Sequence, residues 1–198
     1  MSPESRRPRT RDAEATKSRL LQAATDEFAA HGIAGARVDR IGTAANANKA
    51  LIYAHFGNKD QLFDAVIEHA VTQVMTEVPL TPFDLADYAG RLFDFLVSHP
   101  QHLRLATWHR LEREGSGHDP VGMRSSMDQK AAAIATAQAA AEVPSDFSAE
   151  DLLAFTLALA AAWMPLSSTV PITLNEHSLV AHRAAVVEAV RRLASAPT

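Results

Sequence analysis

Apolar residues recur three and four positions apart along most of this chain, the spacing of one face of an α-helix. Leu20, Leu21, Ala24 and Phe28 mark a first helix over about 13–31, with Asp12 as its N-cap and Gly32 as the residue that ends it. Val38, Ile41 and Ala45 share one face of a short second helix at about 38–45, and a third at about 49–55 has Asn48 as N-cap. Asn58 with Gln61 makes a capping-box pattern ahead of a fourth helix at about 59–77. Its stripe is Leu62, Phe63, Val66, Ile67, Ala70, Val74 and Met75. After Val78-Pro79-Leu80-Thr81-Pro82, helices are predicted near 83–98, 101–114, 120–142, 148–168 and 175–195. Pro100, Gly115-Ser116-Gly117, Pro144 and the Pro165–Pro171 region punctuate them. No stretch alternates with period two, so the predicted fold class is all-α.

The second and third helices meet across a very short connection, and their residues suit a helix-turn-helix. Gly42 offers a small residue where the two helices approach, and its cost inside a helix, about 1 kcal/mol relative to alanine, points to close packing. Four residues later Asn46 stands where the turn needs a positive φ, a conformation asparagine tolerates. Ile41, Ala45, Ala47 and Ile52 supply buried faces. That leaves Lys49, Ala50, Leu51, Tyr53, Ala54 and His55 outward on the third helix, next to its cap Asn48. Lysine and tyrosine hold phosphates, while small and apolar residues meet thymine methyls and base edges. Arg37, before the second helix, and Lys59, at the start of the fourth, are placed to grip the flanking backbone. Phe56 is expected in the core.

Bulk properties narrow the alternatives. The chain has 198 residues, enough for one good core or for a small domain joined to a larger one. It has no cysteine, which excludes disulfide frameworks, thiolate zinc sites and cysteine nucleophiles. No apolar run is long enough to span a bilayer, and Met1–Arg11 lacks the apolar region of a signal peptide, so a cytoplasmic location is the expectation. Residues 1–60 hold ten basic and seven acidic side chains, while the remainder is acidic within a net charge of -4. A mildly basic front suits phosphate.

The stretches Leu21-Gln-Ala-Ala-Thr-Asp-Glu-Phe28, His31-Gly32, Val38-Asp-Arg-Ile41, Lys49-Ala-Leu-Ile-Tyr-Ala-His-Phe56 and Asn58-Lys-Asp-Gln-Leu-Phe63 together resemble the N-terminal domain of the TetR (tetracycline-repressor-like) family of transcriptional regulators. The resemblance covers about 12–77; the rest is similar only in length and helical layout. It implies a three-helix helix-turn-helix domain joined by a long helix to a C-terminal helical domain for ligand binding and dimerisation. The corresponding division is a disordered basic arm at 1–11, the reader at 12–57, a connecting helix at 58–78 and the body at 79–198. The resemblance also implies that Arg37, Lys49, Ala50, Leu51, Tyr53, His55 and Lys59 lie at the DNA. Two positions depart from the family pattern: Asn46 stands where glycine is usual, and Ala36-Arg37 where a serine or threonine usually caps the second helix. Arg37 is then a longer-range substitute for the hydroxyl.

In the body, Leu152–Met164 is apolar nearly all round and must be covered on more than one side. With the last helix it predicts an intersubunit bundle built from Leu152, Phe155, Leu159, Trp163, Val186, Val190 and Leu193. Phe93, Leu96, Leu105, Trp108, His109, Met123, Met127, Ile134, Phe155 and Trp163 are candidates for an adaptable apolar ligand pocket. His99, His102, His109 and His118 have no acid or cysteine at a recognisable ligand spacing, so no metal site and no cofactor are predicted. The Glu114–His118 loop lacks the strand and Lys-Ser/Thr of a phosphate loop. Asp84, Asp87, Glu150 and Asp151 fit helix N-termini rather than catalysis. The function predicted is a homodimeric repressor of a palindromic double-stranded DNA operator, released by a small-molecule effector and without membrane contact. The alternatives are control by a protein partner, or activation in place of repression. A helical-bundle enzyme finds no acid–base or nucleophile constellation.

Overall fold

The computed structural model describes residues 7–113, 121–165 and 175–195. Among these the chain is all-α, with nine helices and no strand: α1 (Arg7–Gly35), α2 (Val38–Ala45), α3 (Lys49–Phe56), α4 (Lys59–Glu77), α5 (Leu85–Ser98), α6 (Pro100–Arg113), α7 (Val121–Ala139), α8 (Ala149–Ala161) and α9 (Glu176–Leu193). Among the described residues no helix is long and apolar enough to cross a membrane. His118, the Glu114–His118 loop and the end of the segment predicted at 148–168 lie outside the described residues, as do residues 1–6 of the predicted arm.

The arm ends earlier than its composition implies, because α1 begins at Arg7. Pro8 falls in the first turn, where a missing N–H costs nothing, and no glycine interrupts Arg9–Glu14. Asp12 is therefore inside the helix and not its cap.

The chain divides into two compact units, Met1–Ala70 with Arg104–Pro120, and Val71–Leu103 with Val121–Thr198. This is not the linear division expected from the Pro79–Pro82 break. The change of unit falls inside α4, and α6 from Arg104 onward belongs with the N-terminal helices.

In the first unit Leu20, Ala24 and Phe28 of α1, Ile41 of α2, Ile52 of α3 and Leu62, Phe63, Val66 and Ile67 of α4 are buried. Phe28 and Phe63 meet edge to face at 5.1 Å. Asn58 and Gln61 form the reciprocal cap ahead of α4: the Gln61 N–H donates to Asn58 Oδ1 at 2.8 Å, and the Asn58 N–H to Gln61 Oε1 at 3.1 Å.

In the second unit α5 is the central element, packing against both α8 and α9, while α7 packs on α8. Tyr88, Phe93, Phe95 and Leu96 of α5 join Ile134 of α7, Leu152 and Leu153 of α8 and Val186 and Val190 of α9 in one core. This corrects three of the residues expected between subunits. Leu152, Val186 and Val190 are at most 2% exposed within a single chain, because their side of α8 and α9 is the one this core occupies. Phe155 remains exposed, and Leu159, Trp163 and Leu193 half-buried.

Among the described residues the buried Tyr88 hydroxyl has no hydrogen-bond partner; burial pushes its ionisation up to about 12, against a small opposing pull from Arg91. Since an unpaired buried hydroxyl costs about 1–3 kcal/mol, Tyr88→Phe is expected to leave stability unchanged or raise it by about 1 kcal/mol. Urea unfolding followed by circular dichroism checks this; a clear loss contradicts it.

Candidate nucleic-acid interface

The site starts where α1 stops being helical. Gly32 takes φ 68° and ψ -175°, a left-handed φ that glycine alone adopts without strain. The Trp108 ring lies so close that an added Cβ would sit 2.8 Å from it. The amides that this break releases are taken up by side chains. Ile33 and Ala34 donate to the two oxygens of Glu112 at 3.1 and 2.8 Å, and the Trp108 indole donates to the Ala29 carbonyl at 3.3 Å. Lys59 Nζ donates to the carbonyls of Ala34 and Ala36, at 3.4 Å each. The Arg37 N–H donates to Glu27 Oε1 at 2.8 Å, and the Arg40 guanidinium grips both Glu27 oxygens and the Gly35 carbonyl.

Burial pushes the Glu27 carboxyl up, but the hydrogen bonds from Arg40 and the Arg37 amide outweigh it and hold the group below its ordinary value of 4.5. Next in sequence to Glu112, Arg113 is buried and pairs with Asp60 at 3.2 Å and Asp64 at 3.1 Å. Beside it, His109 stacks on Phe63.

This junction sets the direction in which α2 leaves. Arg37 is its N-cap in extended conformation, with no side-chain cap bond. Asn46 closes the helix at φ 51°, ψ 50°, the left-handed geometry expected of it. The close approach expected at Gly42 is present, since a Cβ there would lie 2.7 Å from the Ala47 carbonyl oxygen. Two residues further, Asn48 caps α3 by accepting from the Leu51 N–H at 2.8 Å.

The eight residues of α3 then divide cleanly. Ile52 and Phe56 are buried. Lys49, Ala50, Leu51, Tyr53, Ala54 and His55 are all exposed, as is Arg37. Lys49 rests 3.4 Å from Asp39 and 6.0 Å from the centre of the Tyr53 ring. Both members of that ion pair are exposed, so it is weak and readily exchanged for a stronger anion.

Two residues expected at the DNA have intramolecular work. Lys59 is half-buried with its ammonium on the junction carbonyls, and the Asn48 side chain is committed to its cap; their backbone positions still border the exposed face. The pocket candidates are divided between the two units. Leu105, Trp108 and His109 belong to the first unit, where Trp108 seals the α1 break. Phe93, Leu96 and Ile134 are core of the second unit, Phe155 meets Phe147 edge to face, and Trp163 stacks on His182 at 3.8 Å. Met123 and Met127 are half-buried on α7. His99 and His102 are arranged around Phe95 by ring contacts. Sequence reasoning missed Glu27, Arg40, Glu112 and Arg113. The first two lie within the stretches that carry the family resemblance, so their pairing had a signal; Glu112, 78 positions from Ala34 on α1, and Arg113, 53 positions from Asp60 on α4, had none.

Known proteins resemble the chain in both its N-terminal and C-terminal parts. Residues 20–66 match the family model described as bacterial regulatory proteins, tetR family, and 84–192 match the tetracyclin repressor-like C-terminal domain. The HTH-type transcriptional repressor SCO4008 of Streptomyces coelicolor is 41% identical over 152 residues, covering 76% of this chain and 79% of that protein. The HTH-type transcriptional repressor NicS of Pseudomonas putida is 30% identical over 53% of each chain. Among solved structures, a transcriptional regulator of Streptomyces coelicolor, SCO4942, superposes with a TM-score of 0.76 at 34% identity, over 92% of this chain and 99% of that one.

The Glu27 clamp gives a pH signature. A carboxyl whose folded value is depressed stabilises the fold above its unfolded value and loses that contribution as pH falls through the folded one. Glu27→Gln is therefore expected to lower the urea midpoint at neutral pH, with the difference from wild type closing as pH falls below 4.5. A difference that persists undiminished in acid contradicts the assignment.

Proposed function

The chain belongs to the TetR family of bacterial regulatory proteins, DNA-binding transcriptional regulators rather than enzymes, and from that premise we propose that it is a homodimeric repressor. In this reading two copies of α3 enter successive major grooves of a palindromic operator, and a small molecule bound in the second unit weakens that grip. The observation that carries it is the division of α3. Ile52 and Phe56 anchor the helix, while every other residue of its first two turns is exposed. Eight residues make a helix about 12 Å long, which matches a major groove about 12 Å wide.

Roles follow from side-chain chemistry. Lys49 leaves Asp39 for a phosphate, Tyr53 donates its hydroxyl to the backbone, and Arg37 reaches a flanking phosphate from the start of α2. Ala50, Leu51, Ala54 and His55 face base edges and thymine methyls. Asn48 and Lys59 act indirectly, by fixing the start of α3 and the α1–α2 junction. Two-fold symmetry supplies the second half-site about 34 Å away. The exposed Phe155 and Val180, with Leu159, Trp163 and Leu193, support pairing of α8 and α9 between subunits. The relatives' designation as repressors favours repression over activation.

The test is a gel-shift titration against the DNA upstream of the protein's own gene. Lys49→Ala with Tyr53→Ala is expected to weaken binding about thirtyfold or more and to flatten the salt dependence by about one unit of slope. Both side chains are exposed, so the dimer mass by light scattering and the melting temperature stay at wild-type values. Undiminished binding by the double variant sinks the assignment of α3.

A further inference from the structure

α7 carries a charge in the middle of its buried stripe. Ile134 belongs to the core of the second unit. Steps of three and four residues from it toward the N-terminus stay on one helical face and reach Lys130, Met127, Ser126 and Met123. Lys130 is 7% exposed and Ser126 1%, and the two methionines are half-buried. Among the described residues the Ser126 hydroxyl has no hydrogen-bond partner. Burial draws the ionisation of the lysine downward.

Such a pair is not built for stability. A lysine so largely buried, with no counter-ion among the described residues, is costly for a core to hold, and an apolar residue of similar size serves packing better. One turn apart on the same face, an ammonium and a hydroxyl are complementary to an oxyanion, which accepts charge-assisted hydrogen bonds from both. The flanking thioethers are pliable and take up apolar surface of varied shape.

We propose that this face of α7 is the polar end of the effector site, and that the effector is a small amphipathic oxyanion. Its carboxylate or phosphate head is taken by Lys130 and Ser126, and its apolar body lies along the half-buried Met123 and Met127. The regulatory meaning of the site rests on the repressor reading above; binding itself does not.

The full chain is titrated calorimetrically with octanoate and octyl phosphate, and with octanol and octylamine as matched controls. The anions are expected to bind and the controls to bind far more weakly, and the stronger of the two anions identifies the head group. Lys130→Met is expected to weaken anion binding about tenfold or more, Lys130→Arg to recover part of it, and Ser126→Ala to cost a few-fold. Lys130→Met should melt at or above the wild-type temperature, since it removes an uncompensated buried charge.

Should that variant not fold, dimethyl-lysine NMR of the wild type decides. The Lys130 resonance must titrate below those of the other lysines and move when octanoate is added. Absence of binding by both anions, octanol binding as tightly as octanoate, undiminished binding by Lys130→Met, or a Lys130 resonance indifferent to octanoate each overturns the proposal. Operator binding by the same samples without probe separates the two readings. Its loss refutes the repressor, while anion binding refutes or upholds the α7 site independently.

Discussion

At Gly32 the backbone of the first helix turns aside, and several of the amides and carbonyls that follow, those of Ile33, Ala34 and Gly35 and the Arg37 amide among them, are bonded by side chains. Satisfying them is the constraint on which the rest of the first unit depends. A buried or half-buried peptide group left unpaired costs as much as several surface interactions supply. Here the carboxylates of Glu27 and Glu112, the ammonium of Lys59 and the guanidinium of Arg40 converge on residues 33–37. They fix the angle at which α2 departs. Asn46 and the absent side chain of Gly42 then fix the angle between α2 and α3. The exposed face of α3 is the end of that chain of constraints, so its orientation is decided by groups outside it.

Glu112 and Arg113 lie on α6, which begins at Pro100 in the second unit and ends in the first. In the repressor reading the proposed effector acts on operator binding from the second unit. Its influence requires only that the two states of the protein differ in affinity for the anion. The buried ammonium of Lys130 fits that requirement, because its energy changes greatly between a paired and an unpaired state.

Elements that obey local rules were legible in the sequence, and those that depend on distant partners were not. Asn46, Gly42, the Asn58–Gln61 cap and the bounds of α2 and α4 follow from turn chemistry and helical spacing within a few residues. The family resemblance in 12–77 located the reader for the same reason, since its motifs are local. The carboxylate that completes the α1 break comes from Glu112, and no periodicity announces it. Lys59 looked like a phosphate ligand because charge and position were visible while the carbonyls of Ala34 and Ala36 were not. Leu152, Val186 and Val190 looked like interface residues because an apolar helix face does not say which neighbour covers it; α5 does. Trp108 and His109 looked like pocket residues because aromatic content is ambiguous until α6 is seen packing on α1 and α4. Lys130 fell on the Met123–Ile134 stripe in plain view, but a lysine in an apolar pattern reads as solvated until its burial is known.

The central claim is that one symmetric protein presents two copies of α3 to double-stranded DNA. Selection of random duplexes by the full-length wild-type protein, followed by sequencing of the bound pool, tests it most directly. The account predicts enrichment of an inverted repeat whose half-sites are centred about one helical turn apart. A bound pool with no enriched sequence, or with a single unrepeated site, contradicts it.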